Sequence, residues 1–401
     1  MGSVTAVDVP RKPLWTPTAV AHAAFVPTGI VTVLLGPILP ALSARWSLSD
    51  AQAGEFFTAE FLASTLGVML SGALVPRLGY KSVIVLGLIF MAAGVGVLPM
   101  GSRLLGMAAV AGYGLGLGLT IPACNLLVAE LNPGKRAAAV SLLNFSWTVG
   151  AVACPFLFTP FQRRAMISPF FYVLAGFVLL IALVIARVSF PPPKESKDAS
   201  SQPTKPLVAM LQTPVALVLA ILFFVYVGTE NAMGGWLASY AKRLSGSGGT
   251  IWVTVPSFFY AGLLANRALA PFFLRRVSGI WLARVSMGIA LMGLITLLSA
   301  RSMPVIIVSA AVIGLGLATI YPITIALLSS SFGASANRVG SVMFMMASFG
   351  AACMPWMVGV TSTHAQSLKV GLAIPLGACV LMLGLFFREW NAKVKALGSG
   401  L

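Results

Sequence analysis

Charge is what this chain lacks. Among 401 residues there are only nine acids, six Glu and three Asp, and charged residues of both signs make up 9%. Soluble domains carry about 25% charged residues, so a water-soluble globular enzyme is excluded. Histidine is scarcer still, with His22 placed near the start of an apolar segment and His364 between two of them. The four cysteines, Cys124, Cys154, Cys353 and Cys379, all sit in apolar runs without metal-ligand spacing, so they read as small packing residues. Neither HExxH nor GxSxG occurs, nor a glycine-rich turn ending in Gly-Lys-Ser or Gly-Lys-Thr. Metalloprotease, serine-hydrolase and nucleotide-binding chemistry therefore have no motif to stand on. The opening MGSVTAVDVPRKPLW lacks a signal-peptide apolar region and cleavage pattern.

What the chain has is apolar sequence: 58% hydrophobic residues and a mean hydropathy of +0.96. Stretches of roughly twenty apolar residues can cross a bilayer as helices, and only helices or closed barrels satisfy their backbone there. Such stretches fall near 17–42, 50–75, 82–100, 103–129, 136–160, 168–188, 211–241, 250–271, 280–300, 303–329, 338–360 and 368–387. The expected fold is an all-alpha membrane protein of twelve transmembrane helices in two pseudo-symmetric six-helix bundles. The net charge of +17 would suggest nucleic acid in a soluble protein. Here the basic residues punctuate apolar runs, so the lipid bilayer is the expected partner and nucleic acid is not. With both termini on one side, 17 of the 26 Lys and Arg lie on that side, among them Arg77, Lys81, Lys135, Arg136, Arg275 and Arg276. The positive-inside rule then places both termini in the cytoplasm.

The chain also repeats itself. Gly114, Gly116, Pro122, Gly150 and Pro155 return 200 residues later as Gly314, Gly316, Pro322, Gly350 and Pro355. Residues 190–206, FPPPKESKDASSQPTKP, form the longest clearly polar segment and read as a cytoplasmic linker between residues 1–189 and 207–401. Two such halves predict alternating access to a site between them. The glycines at 112, 114, 116 and 118 read as a close helix-packing surface rather than a ligand contact. The pairs Gly150/Pro155 and Gly350/Pro355 are candidate gating hinges, with simple helix bending the equal alternative.

The loop Gly72-Ala-Leu-Val-Pro-Arg77-Leu-Gly79-Tyr-Lys81 resembles the signature loop of the major facilitator superfamily, although Pro76 stands where that family usually has an acid. The resemblance, with the repeat and central linker, spans nearly the whole chain. It implies a gating role for Arg77 and Lys81, topology anchoring being the plainer reading. The run FFVYVGTENAMGGW is similar to the first helix of the C-terminal half in the fucose–glucose–galactose permease branch, through Gly228, Glu230, Gly235 and Trp236. That similarity implies sugar binding, often with cation-coupled uptake.

Polar groups within apolar runs carry the remaining argument, because a carboxylate facing hydrocarbon is costly and must face protein or water. Glu230 is the leading candidate for solute binding and for proton exchange, and Glu60 is a second proton candidate. Asn231 adds a donor and an acceptor beside Glu230, and Trp236 follows it. Asn144 and Trp147, three residues apart, share a helix face. Asn125 and Tyr321 are further candidates. Amide and carboxylate groups suit hydroxyls and an aromatic face suits a sugar ring, so a small neutral polar solute is expected. The expected function is secondary uptake of a sugar or sugar-like polyol, coupled to H+, by a polytopic protein of a bacterial inner membrane. No cofactor, metal or catalytic residue is expected, and a monomer suffices. Proton-driven export of amphipathic compounds and passive sugar facilitation are the competing accounts, and a membrane enzyme is a distant third.

Overall fold

The computed structural model describes residues 16–188, 190, 207–246 and 249–387. Nearly the whole linker expected at 190–206 therefore lies outside the described residues, as do Arg11, Lys12 and the C-terminal basic residues. The described chain is helical throughout: α1 (Pro17–Thr32), α2 (Leu35–Trp46), α3 (Asp50–Val97), α4 (Arg103–Leu131), α5 (Arg136–Arg163) and α6 (Ile167–Arg187) come first. There follow α7 (Leu207–Leu211), α8 (Pro214–Ser245), α9 (Val255–Leu274), α10 (Gly279–Ser299), α11 (Met303–Leu317), α12 (Ile320–Phe332), α13 (Ala336–Ala365), α14 (Leu368–Gly371) and α15 (Ala373–Phe387). Ten helical segments among the described residues are long and apolar enough to cross a membrane.

Local chemistry sets the helix ends. Ser49 and Gln52 form a reciprocal capping box at the start of α3. Ser102, Thr213 and Ser278 each accept from the backbone N–H three residues on. At 1.5 Å per residue, the 48-residue α3 would run to about 72 Å, more than twice the ~30 Å hydrocarbon core. It folds back at Gly79, whose φ of 78° and ψ of 162° suit glycine and interrupt the helix inside the signature-like loop. The spans expected at 50–75 and 82–100 are thus joined by a turn so tight that the helical pattern barely lapses.

Proline divides two other spans. The break between α1 and α2 falls at Val33 and Leu34, and Val33 is four residues before Pro37. The break between α11 and α12 falls at Ala318 and Thr319, and Ala318 is four residues before Pro322. A proline has no N–H for the carbonyl four residues back and its ring crowds that carbonyl. Pro122, the repeat partner of Pro322, nevertheless stays inside the continuous α4, so the two repeats differ here.

The repeat is visible as matched helix crossings. A Cβ on Gly150 of α5 would lie 2.1 Å from the Val26 carbonyl oxygen of α1, and one on Gly350 of α13 would lie 1.9 Å from the Phe224 oxygen of α8. Gly114 of α4 seats against the Glu60 carbonyl of α3, and Gly314 of α11 against the Phe259 carbonyl of α9. Small residues let the backbones approach, and dispersion between them supplies the packing that lipid cannot. Gly150 and Gly350, the expected hinge glycines, lie in unbroken helices along with Pro155 and Pro355.

Contacts between the first and second halves gather at the end that carries the Trp46–Asp50 connection. Asp50 accepts from Arg243 Nη2 at 2.5 Å and from Ser362 Oγ at 2.5 Å. The Ala51 N–H donates to Thr363 Oγ1 at 2.8 Å, and Thr58 Oγ1 donates to the Ala352 carbonyl at 2.9 Å. Ser257 Oγ donates to the Val152 carbonyl at 2.8 Å. Gly54 packs on the backbone of Trp356, and Gly36 on that of Gly234. This end is closed. At the opposite end Arg77 is exposed and Lys81 half-buried, and neither has a hydrogen bond or ion pair among the described residues.

Candidate functional site

Polar residues of the membrane interior form two groups, one in each half, that touch where Trp147 meets Tyr260. On α8, Tyr226 and Glu230 lie one helical turn apart and share a face. On α9, Tyr260 and Arg267 are two turns apart and share another. Arg267 donates from Nη2 to Glu230 Oε1 at 3.2 Å and Oε2 at 3.4 Å, and to the Tyr226 hydroxyl at 3.5 Å. The side chains of Arg267 and Glu230 retain 28% and 13% exposure, so the pair borders an accessible space. Tyr226 stacks on Tyr321 of α12, with ring centroids 5.8 Å apart and planes inclined by 29°.

The first half supplies a second group. Asn144 of α5 donates from Nδ2 to Asn125 Oδ1 of α4 at 3.2 Å, and each amide also donates to the carbonyl four residues earlier. Trp147 donates from Nε1 to Thr32 Oγ1 of α1 at 3.3 Å. Its ring meets Tyr260 of the second half edge-on, with centroids 6.5 Å apart. The two halves thus supply an acid, a guanidinium, two amides, tyrosine hydroxyls and an indole, and the Trp147–Tyr260 contact joins the two groups. Such a set can bind hydroxyl groups from several directions while an aromatic face covers apolar ring carbons.

Of the residues expected at the site, Asn125, Asn144, Trp147, Glu230 and Tyr321 belong to these two groups. Asn231 is half-buried beside them, with its Nδ2 returned to the Val227 carbonyl at 2.8 Å. Trp236 is elsewhere: it is 1% exposed, packs against Phe57, and donates from Nε1 to the Pro355 carbonyl at 2.9 Å. It seals the closed end in this state and presents no open face. Glu60 is not bonded to the central pair: it is fully buried between α3 and α4, where Tyr113 donates to its Oε2 at 3.4 Å. His22 bonds Ser146 Oγ through Nδ1 at 2.8 Å.

Arg267, Tyr226, Tyr260 and Thr32 were not singled out from sequence. For Arg267 a signal existed, since it is the lone basic residue of LLANRALAPFF. The tyrosines carried none, because their pattern matches ordinary apolar packing. Among the described residues no group of His, Cys, Asp and Glu could hold a metal ion.

The fold is shared with solved transporters. The structure of the nucleoside transporter NupG superposes with a TM-score of 0.79 at 12% identity, covering 94% of this chain and 100% of that one. A D-xylose-proton symporter superposes with a TM-score of 0.73 at 17% identity, covering 92% and 96%. In sequence, the chain is 25% identical to the multidrug efflux protein YfmO of Bacillus subtilis over 96% of its length and 95% of that protein's. It is 23% identical to the glucose/mannose transporter GlcP of the same organism over 93% and 94%. The model of the Major Facilitator Superfamily matches residues 22–389, and the chain belongs to that superfamily of membrane transporters.

Proposed function

We propose that the protein is a secondary transporter that takes up a sugar or sugar-like polyol together with H+ across a bacterial inner membrane. The observation that carries this reading is the group of Glu230, Arg267, Tyr226 and Tyr321 in the second half, joined through Tyr260 to Trp147 of the first half, whose α5 also carries Asn144 bonded to Asn125. Its one acid and one base cancel, so the site suits a neutral, hydroxyl-rich solute better than a phosphate. The relation to GlcP and the fold shared with a xylose–proton symporter support it. The proton rides on one of the two intramembrane acids, Glu230 or Glu60.

The architecture of this reading is two six-helix bundles, residues 1–189 and 207–401, joined by the linker at 190–206. Counting the two arms of α3 separately and including α9 gives twelve spans. With both termini cytoplasmic, the closed end faces outward and the solute site opens to the cytoplasm. The Gly150–Pro155 and Gly350–Pro355 segments, one inside each bundle, are the hinges that flex as the bundles rock. Arg77 and Lys81, free in this state, engage the other bundle when the inner end closes.

The relation to YfmO favours a second reading, proton-driven export of amphipathic compounds. Purified protein in sealed vesicles separates the two. Saturable entry of labelled glucose, mannose or xylose, with matched alkalinisation of the acidic side, supports symport. Sugar flux without a pH change means facilitation, and flux driven by a sodium gradient reassigns the ion. Expulsion of a lipophilic cation with no sugar flux overturns the sugar reading.

A further inference from the structure

Glu60 and Tyr113 form a polar pair that the solute site does not use. Both are fully buried, at 0% exposure. Tyr113 satisfies Oε2 of Glu60 at 3.4 Å, whereas Oε1 has no partner. The described ion pairs commit Arg103 to Glu55, Arg243 to Asp50 and Arg267 to Glu230, leaving Glu60 without a cation. Cys154 of α5 and Tyr260 of α9 lie within electrostatic reach of the pair, and Tyr260 also reaches Glu230 and Arg267. On the other helices packed against α3, His22 (α1), Arg45 (α2), Tyr172 and Arg187 (α6), and Arg338, Cys353 and His364 (α13) make no hydrogen bond or ion pair with Glu60. A charged carboxylate so enclosed and uncompensated carries a heavy desolvation cost. A neutral carboxylic acid does not.

Position adds a mechanical argument. Gly114 of α4 seats directly on the Glu60 carbonyl, so the two helices touch at that level. Two residues before Glu60, Thr58 holds the same helix to Ala352 of α13 across the closed end. Opening that end breaks this contact two residues from Glu60. Glu230 lacks this enclosure and already has Arg267 as its counter-ion.

We propose that Glu60 is the proton-binding site of the transport cycle, on a carboxylate other than the Glu230 of the solute site. Its carboxylate takes up one H+ while the α3–α13 contact is open, with Tyr113 as hydrogen-bond partner. Closure seals the resulting carboxylic acid between α3 and α4, and the proton is released to the cytoplasmic side before the α3–α13 contact reopens. Proton and solute are then coupled through the position of α3 rather than by sharing a carboxylate. This rests on the symport reading above, yet its first test needs no solute.

Infrared spectra of the purified wild-type protein at neutral pH should contain the carbonyl band of a protonated carboxylic acid. The band should vanish in Glu60→Gln, persist in Glu230→Gln and shift in Tyr113→Phe. No such band in the wild type, or its persistence in Glu60→Gln, overturns the assignment. Should Glu60→Gln fail to fold, the wild-type band and its shift in Tyr113→Phe decide the question, and an unshifted band overturns it. In vesicles, Glu60→Gln should reduce pH-driven sugar accumulation at least tenfold more than it reduces sugar exchange, and an equal reduction overturns the coupling role. If the wild type moves no sugar, the sugar reading falls while the infrared result still decides Glu60.

Discussion

At the scale of single residues, the central site is organised by one guanidinium. Arg267 holds both oxygens of Glu230 and reaches the Tyr226 hydroxyl, so one side chain orients an acid and an aromatic together. Charge-assisted hydrogen bonds are worth about 1.5–3 kcal/mol each. Glu230→Gln should therefore weaken sugar binding by about 10- to 100-fold, measured by titration of the purified protein, with Glu230→Asp falling between. Unaltered affinity in Glu230→Gln would remove this residue from the solute site. Arg267→Lys keeps the charge but loses the planar fork, so it should not restore wild-type affinity. The acid was legible in the sequence because a carboxylate in an apolar run stands out. Its partner lies 37 residues away on another helix, and only the packing of α8 on α9 brings the two together.

At the scale of helices, glycine positions decide how closely neighbours approach. Gly150 and Gly350 sit where a side chain would run into a neighbouring backbone, which cannot step aside as a flexible side chain can. Gly150→Leu or Gly350→Leu should destabilise the protein by about 1–3 kcal/mol through overpacking, seen as a lower melting temperature in detergent. Gly176→Ala is the control, since nothing lies within 4 Å of a Cβ there. Equal melting temperatures for all three variants and the wild type would refute the crossing argument. The 200-residue repeat announced these positions in advance. Whether a repeated proline breaks its helix was not announced: Pro322 splits its span and Pro122 does not.

For the whole molecule, one carboxylate ties three helix ends together at the closed face. Asp50, 14% exposed at the side chain, opens α3 and joins Arg243 near the end of α8 to Ser362 near the end of α13. Asp50→Asn should shift the population towards opening at this end. Spin labels at Ala44→Cys and Leu244→Cys, on opposite halves, should then show an added long-distance population. An unchanged distance distribution would mean that the apolar contacts alone hold this end shut. Arg77→Gln should act in the reverse sense. It leaves the present state untouched and depletes the state closed at the Gly79 end, so in the Asp50→Asn background it should shrink the long-distance population.

The sequence by itself determined the solvent, the helical class, the duplication and the few polar residues able to carry function. These follow from local physics: apolar run length, helix capping, and the cost of a carboxylate in hydrocarbon. Tertiary structure decided which polar groups meet. It paired Glu230 with Arg267, left Glu60 with a tyrosine alone, and turned Trp236 from an expected solute contact into a seal on Pro355. It also decided which end is shut. Those outcomes depend on helix rotation and on contacts between residues far apart in the chain. A pattern repeating every 200 residues is nearly blind to both, since each half reads alike whichever end is closed.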